Sequence, residues 1–345
     1  MKILDDTKLD FCDVLMLPKC SSYSSRAEVF LERNITFKYS PESWTGVPIM
    51  VSNMDTTGTI EMAMTLQQFK VITCLHKYYK ADDIPGEHEL DRDYFAVSSG
   101  IQDADLKNLD EIIRKVNPKF ICLDVANGYM QKFVATCAMV RNLYPDKVII
   151  AGNVCTGEGV LDLVLNGKVD IVKCGIGPGS QCLTRKQTGV GMPQLSCIME
   201  CADTAHGLDA QIVGDGGVQV NGDFAKAFGA GADFVMAGGL FGGYEQSGGE
   251  TVYENGVLYK FIYGMSSTTA MNKYHGGVAT HRSSEGKTVK VKHRGDVGNF
   301  ILDLFGSLRS TMTYINAKRI KDIPKCTTFV RVNRQLNGMY NANEI

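Results

Sequence analysis

The sequence predicts a closed (β/α)8 TIM barrel of the α/β class. It forms one domain over residues 1–345, with an N-terminal extension and a flap inserted after the eighth strand. Three observations carry this. Eight short runs are apolar nearly throughout, without alternation, which requires burial on both faces and hence a parallel sheet. Amphipathic segments with helical spacing separate them. Each run also empties into polar or glycine residues, and a barrel gathers all such strand ends on one rim. A doubly wound open sheet is the architectural alternative.

Residues 1–46 read as an extension: FCDVLMLP is a short apolar piece, and SSYSSRAEVFLERNITF is loop followed by strand. The rhythm then starts with strand VPIMVSNMD and helix TGTIEMAMTLQQF. Strand VITCLHK is followed by a loop with a short acidic stretch. Strand–helix pairs follow: YFAVSSG with DLKNLDEIIRKV, FICLDVANG with YMQKFVATCAMVRNLY, VIIAGNVCT with GEGVLDLVLNG, IVKCGIG with MPQLSCIMECADTAHG, and QIVGDGGV with NGDFAKAFGAGA. FVMAGGLFGG closes the series. Residues 243–295 break it. YENGVLYKFIYG is a hairpin turning at Asn255–Gly256, a pair suited to positive φ. MSSTTAMNKYHGG follows, then HRSSEGKTVKVKHRG, which is basic, glycine-punctuated and read as a mobile flap. Residues 296–320 return to helical spacing and close the barrel.

A net charge of −2 gives no electrostatic case for nucleic acid. No run of about 18 apolar residues suggests a membrane span. The first residues are acidic without a signal-peptide core, and the last carry no peroxisomal or retention address. The 11 cysteines are odd in number and contain no CxxC. Cys197 and Cys201 read as buried helix cysteines, not metal ligands. Unpaired thiols in this number point to a reducing, cytoplasmic setting.

The chemistry centres on residues 171–191, IVKCGIGPGSQCLTRKQTGVG. A buried strand empties into Gly175, Gly177 and Gly179, and glycine lets backbone approach a ligand closely. Cys182 follows on the loop beside Thr184, Arg185 and Lys186, where cations would favour the thiolate. Asp215-Gly216-Gly217 and Gly238-Gly239 end the seventh and eighth strands, a common phosphate site in barrels. Asp215 suits ribose hydroxyls better than phosphate. Gly264-Met265-Ser266-Ser267 offers hydroxyls and backbone to a phosphate or base edge. Glu285 is a candidate acid or base if the flap closes. On spacing alone Lys77 either binds an acidic ligand or lies along the surface, His76 is equally open, and KTVKVKHRG is either a phosphate attractor or a solvated face.

Together, SNMDTTG, CLHKYY, LDVANGY, AGNVCTGE, GIGPGSQCLTRKQTGVGMPQLS, GDGG, MAGG, YGMSSTTAMNK, RSSEGK and LRSTMTY resemble the GMP reductases, within the superfamily they share with the IMP dehydrogenases. The likeness covers nearly the whole chain. Three features favour the reductase side: only a loop follows HKYY, where dehydrogenases usually insert regulatory domains; GMSSTTAMNK stands in place of a GMGS-type run; and the flap lacks the Arg-Tyr pair by which dehydrogenases activate water.

The resemblance implies NADPH-dependent reductive deamination of GMP to IMP and ammonia through a covalent cysteine thioimidate, a step in purine nucleotide interconversion. It implies Cys182 as nucleophile, with Thr184 and Glu285 as the relay that expels ammonia. GMP would meet Asp215, Gly216, Gly217, Gly238, Gly239, Gly264, Met265, Ser266, Arg282, Ser283, Ser284, Glu285 and Gly286. NADPH would meet Ser25, Arg26, Lys77, Asp124, Val125, Ala126, Ile176, Gly177, Met265, His281, Arg282, Ser310, Thr311, Met312 and Thr313, some from a neighbouring subunit of a homotetramer. A potassium ion would take carbonyls of Gly177, Gly179, Cys182 and Arg185. Two alternatives stay open: an IMP dehydrogenase lacking its regulatory insert, and a purine-nucleotide-binding protein without turnover.

Overall fold

A computed structural model describes residues 3–86, 88–280 and 283–333. Strand β1 (Val14–Met16) pairs antiparallel with Phe329–Arg331, tying the two ends of the described chain together. β2 (Arg33–Thr36) and β3 (Ser43–Gly46) form a hairpin. Eight parallel strands then close the barrel: β4 (Ile49–Val51), β5 (Ile72–Leu75), β6 (Phe95–Ser99), β7 (Phe120–Asp124), β8 (Val148–Val154), β9 (Ile171–Cys174), β10 (Gln211–Asp215) and β11 (Phe234–Ala237). Closure is made by β11 pairing with β4, Met236 opposite Met50.

The crossovers carry α1 (Ile60–Leu66), α2 (Asp103–Val116), α3 (Gln131–Leu143), α4 (Gly157–Leu165), α5 (Thr184–Thr188), α6 (Gln194–Gly207) and α7 (Asn221–Gly229). Between β5 and β6 the described residues hold only a short helical turn at Ala81–Asp83, as the acidic loop in the sequence suggests. All eight apolar runs became barrel strands because both their faces are covered. One face packs on helices through residues such as Val51, Val97, Leu123 and Val172. The other fills the barrel with Met50, Ile72, Phe120, Ile150, Val213 and Phe234.

The β2–β3 hairpin plugs the N-terminal end of the barrel. Trp44, 1% exposed, lies 5.3 Å from the Phe234 ring and donates its indole N–H to the Asp93 carbonyl at 2.8 Å. Beside it, fully buried Asp170 accepts backbone N–H groups of Tyr39, Ser40 and Ile149 and pairs with Arg141. The base is thus sealed, and the open rim is the C-terminal one.

That rim carries the insertion. β12 (Thr251–Glu254) and β13 (Val257–Tyr263) turn at Asn255 (φ 50°) and Gly256 (φ 80°), matching the turn expected from the Asn-Gly pair. α8 (Thr268–His275) follows. The basic stretch read wholly as flap is in part a strand: β14 (Thr288–Lys292) pairs antiparallel with β13 along its length. Its alternating valines and lysines fit a half-covered edge. α9 (Val297–Tyr314) completes the ring of helices, capped by Asp296, whose carboxylate accepts the Gly298 N–H at 2.7 Å.

Candidate active site

Cys182 lies half-buried on the loop between β9 and α5. Its thiol donates to the Thr184 hydroxyl at 3.2 Å, and that hydroxyl donates to Glu285 Oε2 at 2.6 Å. The two ends of this chain are 103 residues apart in sequence. What joins them is backbone. Cys182 and Gly286 form an antiparallel β-bridge. The Leu183 N–H donates to the Glu285 carbonyl at 2.6 Å, and the Lys287 N–H to the Gln181 carbonyl at 3.0 Å. On its other side Gly286 bridges Ser267, and the Glu285 N–H donates to the Ser266 carbonyl at 3.1 Å. A Cβ on Gly286 would sit 2.8 Å from the Ser267 nitrogen, so only glycine fits between the two strands.

The glycine loops meet around the same point. Gly216 (φ 82°) comes within 3.4 Å of the Gly179 nitrogen, measured from where a Cβ would be, and Gly239 within 2.7 Å of the Ser180 hydroxyl. Ser284 donates to the Gly286 carbonyl at 3.2 Å, Met265 and Gly264 are half-buried, and Ser266 and Ser283 are exposed beside them. The structure therefore brings Gly216, Gly239, Gly264 and Gly286 onto the cysteine loop, with Asp215, Gly217 and Gly238 on the adjoining strand exits and Met265, Ser266, Ser283 and Ser284 on the segments beside Gly264 and Gly286; Arg282 and His281 lie outside the described residues.

Beneath the mouth, Asp124 and Asp215, both singled out in the sequence, are joined by a buried lysine that was not. The Lys173 ammonium, 5% exposed, contacts Asp124 Oδ1 at 3.0 Å, Asp215 Oδ2 at 2.7 Å and Asn153 Oδ1 at 3.2 Å. Asn53 donates to Asp124 at 3.0 Å, and Asn153 to Asp215 at 2.8 Å. Burial opposes the charge on Lys173, but the two carboxylates outweigh it and hold the ammonium well above the usual lysine range. Burial likewise opposes the Asp124 charge, and Lys173 and Asn53 outweigh it and lower its pKa.

Arg185 does not serve as a cation for the thiol. Its guanidinium reaches Asp10 at 3.2 Å and the Met192 carbonyl, bracing the loop against the N-terminal extension. His76 is pushed down to about 4, by burial first, and its ring stacks on Tyr79 at 4.0 Å; it accepts the Tyr78 N–H as a neutral imidazole. Lys77 faces Asp105 at 3.8 Å near the rim.

The residues expected to hold a dinucleotide fall into two groups. Lys77, Asp124, Val125, Ala126, Ile176, Gly177 and Met265 stand at the strand exits of the mouth. Ser25 and Arg26 lie in a short turn packed on the C-terminal half of α9, which carries Ser310, Thr311, Met312 and Thr313. Ser310 is roughly 20 Å down that helix from its start at the rim. Thr311 and Thr313 hydroxyls are bonded to their own helix, and Met312 is fully buried. This second group does not face Cys182 of the same chain. The carbonyls of Gly177, Gly179, Cys182 and Arg185 line the cysteine loop; those of Gly179 and Arg185 each accept one N–H, from Cys182 and Gly189. Each keeps a second lone pair, a hard oxygen donor suited to a monovalent cation.

A family model described as "IMP dehydrogenase / GMP reductase domain" matches residues 8–338. The chain belongs to the IMP dehydrogenase/GMP reductase family. It is 53% identical to GMP reductase 1 of Homo sapiens over 339 residues, covering 97% of this chain and 98% of the relative. It is 52% identical to a GMP reductase of Caenorhabditis elegans, over 100% of this chain and 97% of the relative. A GMP reductase of Salmonella paratyphi C is 51% identical over 99% of this chain and its own full length.

For this member of the IMP dehydrogenase/GMP reductase family, sequence reasoning missed Lys173 although it left a signal. It is the one charged residue in the strand Ile171–Cys174, and a charge inside a buried strand needs partners. Asp55, the carboxylate in SNMDTTG at the exit of the first barrel strand, had no role on sequence grounds.

Proposed function

We propose that this protein reductively deaminates GMP to IMP and ammonia through a thioimidate on Cys182. The observation that carries the proposal is the hydrogen-bonded chain from Cys182 Sγ through Thr184 Oγ1 to Glu285 Oε2. A binding module has no use for a thiol wired to a carboxylate. A purine amino group is a poor leaving group, and such a relay solves that problem in two steps. The thiol proton passes through Thr184 to Glu285 as sulfur adds to C2. The same relay then protonates the 2-amino group, the C–N bond breaks, and ammonia leaves with that electron pair.

NADPH, when bound, supplies the hydride that reduces C2. Cys182 then leaves with the C–S pair, giving IMP, and regains its proton from solvent. Lys77, Asp124, Val125, Ala126, Ile176, Gly177 and Met265 would hold the reactive end of that cofactor. Ser25, Arg26 and Ser310–Thr313, remote from Cys182 of their own chain, would meet the cofactor of a neighbouring copy in a homotetramer. His281 and Arg282 belong to the same proposal. Potassium would sit on the carbonyls of the cysteine loop and fix its shape. Asp215 would accept the ribose hydroxyls, and the glycine pairs and the 264–266 loop would hold the phosphate. The flap carrying Glu285 is proposed to open for exchange of nucleotides and to close against water, since hydrolysis of the thioimidate would yield XMP. A cytoplasmic setting fits the unpaired thiols.

The test follows the NADPH absorbance band of purified protein on addition of GMP, with ammonia assayed in parallel. Loss of NADPH matched by ammonia is expected. NADH formation from IMP and NAD instead moves the protein to the dehydrogenase side. Cys182→Ala is expected to bind GMP without turnover; turnover by that variant overturns the covalent route.

A further inference from the structure

The carboxylate of Asp55, just past β4, is 1% exposed, and no step above uses it. Its Oδ2 accepts three donors, all from the insertion: the Tyr263 hydroxyl at 2.7 Å, the Tyr274 hydroxyl at 2.7 Å and the Lys273 ammonium at 3.1 Å. Its backbone N–H meets Met265 Sδ at 3.4 Å. A Cβ on Gly248 would lie 2.1 Å from the Asp55 carbonyl oxygen, so the chain leading into β12 rests directly on this residue. The Tyr274 ring lies flat on Tyr78, centroids 3.5 Å apart and planes 2° apart, a second seam between α8 and the barrel.

Burying a carboxylate is costly, and here, among the described residues, its side-chain hydrogen bonds come from the insertion alone. Oδ1 is buried and has no hydrogen-bond partner among the described residues. The charge is therefore tolerated in two conditions only: insertion docked, or carboxylate hydrated. From the docked insertion the path to the chemistry is short. Met265 leads to Ser266 and Ser267, which hold Glu285 and Gly286, which hold Leu183 and Cys182.

We propose that Asp55 is a positioning residue that latches the 243–295 insertion to the barrel and so delivers Glu285 to Thr184. The proposal deepens the function given above and rests on it. The step that needs Glu285 is ammonia expulsion. Hydride transfer needs only Cys182 and C2, because in that half the thiol exchanges its proton with solvent and not through Thr184 and Glu285. The two separate in the reverse half-reaction, in which Cys182 adds to IMP and hydride passes from C2 to NADP, leaving the thioimidate and one NADPH.

Tyr274→Phe keeps the ring stack and removes one bond to the latch; Lys273→Met removes another; Asp55→Asn removes the charge. Each is expected to slow GMP-driven NADPH oxidation by about tenfold or more, the scale of one charged hydrogen bond. The single-turnover NADPH burst from IMP and NADP should change by less than about threefold on that reasoning. Amide hydrogen exchange across residues 283–292 should quicken in all three variants. Equal slowing of both half-reactions, or unchanged exchange in 283–292, overturns the latch. If the unmodified protein oxidises no NADPH with GMP, the proposed function falls and the exchange result alone decides the latch. If Asp55→Asn does not fold, Tyr274→Phe and Lys273→Met decide it.

Discussion

Lys173→Met isolates what the buried ammonium does. Methionine matches the lysine stem in length and volume, so packing against the barrel strands survives. What disappears is three contacts of 2.7–3.2 Å, to Asp215, Asp124 and Asn153. Removing one partner of a buried ion pair costs about 3–5 kcal/mol. Asp124 and Asp215 retain their bonds to Asn53 and Asn153, and their side chains are 35% and 16% exposed, so the lower end, about 3 kcal/mol, is expected near pH 7. For a chain of 345 residues that is a fall of roughly 4 °C in thermal midpoint.

The pH dependence has a definite sign. The folded pKa of Asp124 is depressed, so its stabilisation is present above the unfolded aspartate value and fades as pH falls through the folded one. That of Lys173 is raised, so its share is full below the ordinary lysine value and fades only above it. The gap between the two proteins should be flat from about pH 5 to 10 and narrow as pH falls below about 4. Melting followed by circular dichroism across that range checks it. A gap under about 1 kcal/mol at neutral pH, or one that widens in acid, would refute the reasoning.

Glu285→Gln keeps both backbone bonds that seat the flap but cannot carry a proton; steady-state assays should show kcat reduced about 10²–10⁴-fold with KM for GMP little changed. Gly286→Ala forces a Cβ to 2.8 Å from the Ser267 nitrogen, parting the strands on either side, and should reduce kcat nearly as far while the thermal midpoint moves by only a few degrees. Asp170→Ala strands the buried Arg141 guanidinium at the sealed base, costing about 3–5 kcal/mol in denaturation, yet the folded fraction should keep its kcat because no mouth residue is touched.

The barrel was legible because its strands are apolar without alternation, a pattern that few folds other than a parallel sheet wrapped in helices satisfy. The insertion was less so. Thr288–Lys292 alternates valine and lysine, which marks a strand with one wet face, but its glycine-rich surroundings and basic charge favoured a loop. Ser43–Gly46 is four residues long and is defined by Trp44 entering the barrel, a long-range fact that no local pattern holds. At the site, the glycine loop announced Cys182, whereas Glu285 on spacing alone was one exposed-looking carboxylate among many. Its role depends on the bridge between Cys182 and Gly286, and pairing across 104 positions leaves no periodic trace. Arg185 shows the converse. It adjoins the nucleophile's loop in sequence, yet its charge is taken by Asp10, 175 residues away.

The rungs on either side of Gly286 also govern how such a chain can diverge. Side chains on a paired strand alternate between faces, so deleting one residue between Ser284 and Lys287 would turn the carboxylate away from Thr184 while leaving every backbone bond available. Substitutions there are graded in effect; changes of length are not. Related sequences that retain the reaction should therefore lengthen or shorten freely at the Asn255–Gly256 turn, and keep a fixed count from Gln181 to Thr184 and from Ser284 to Lys287.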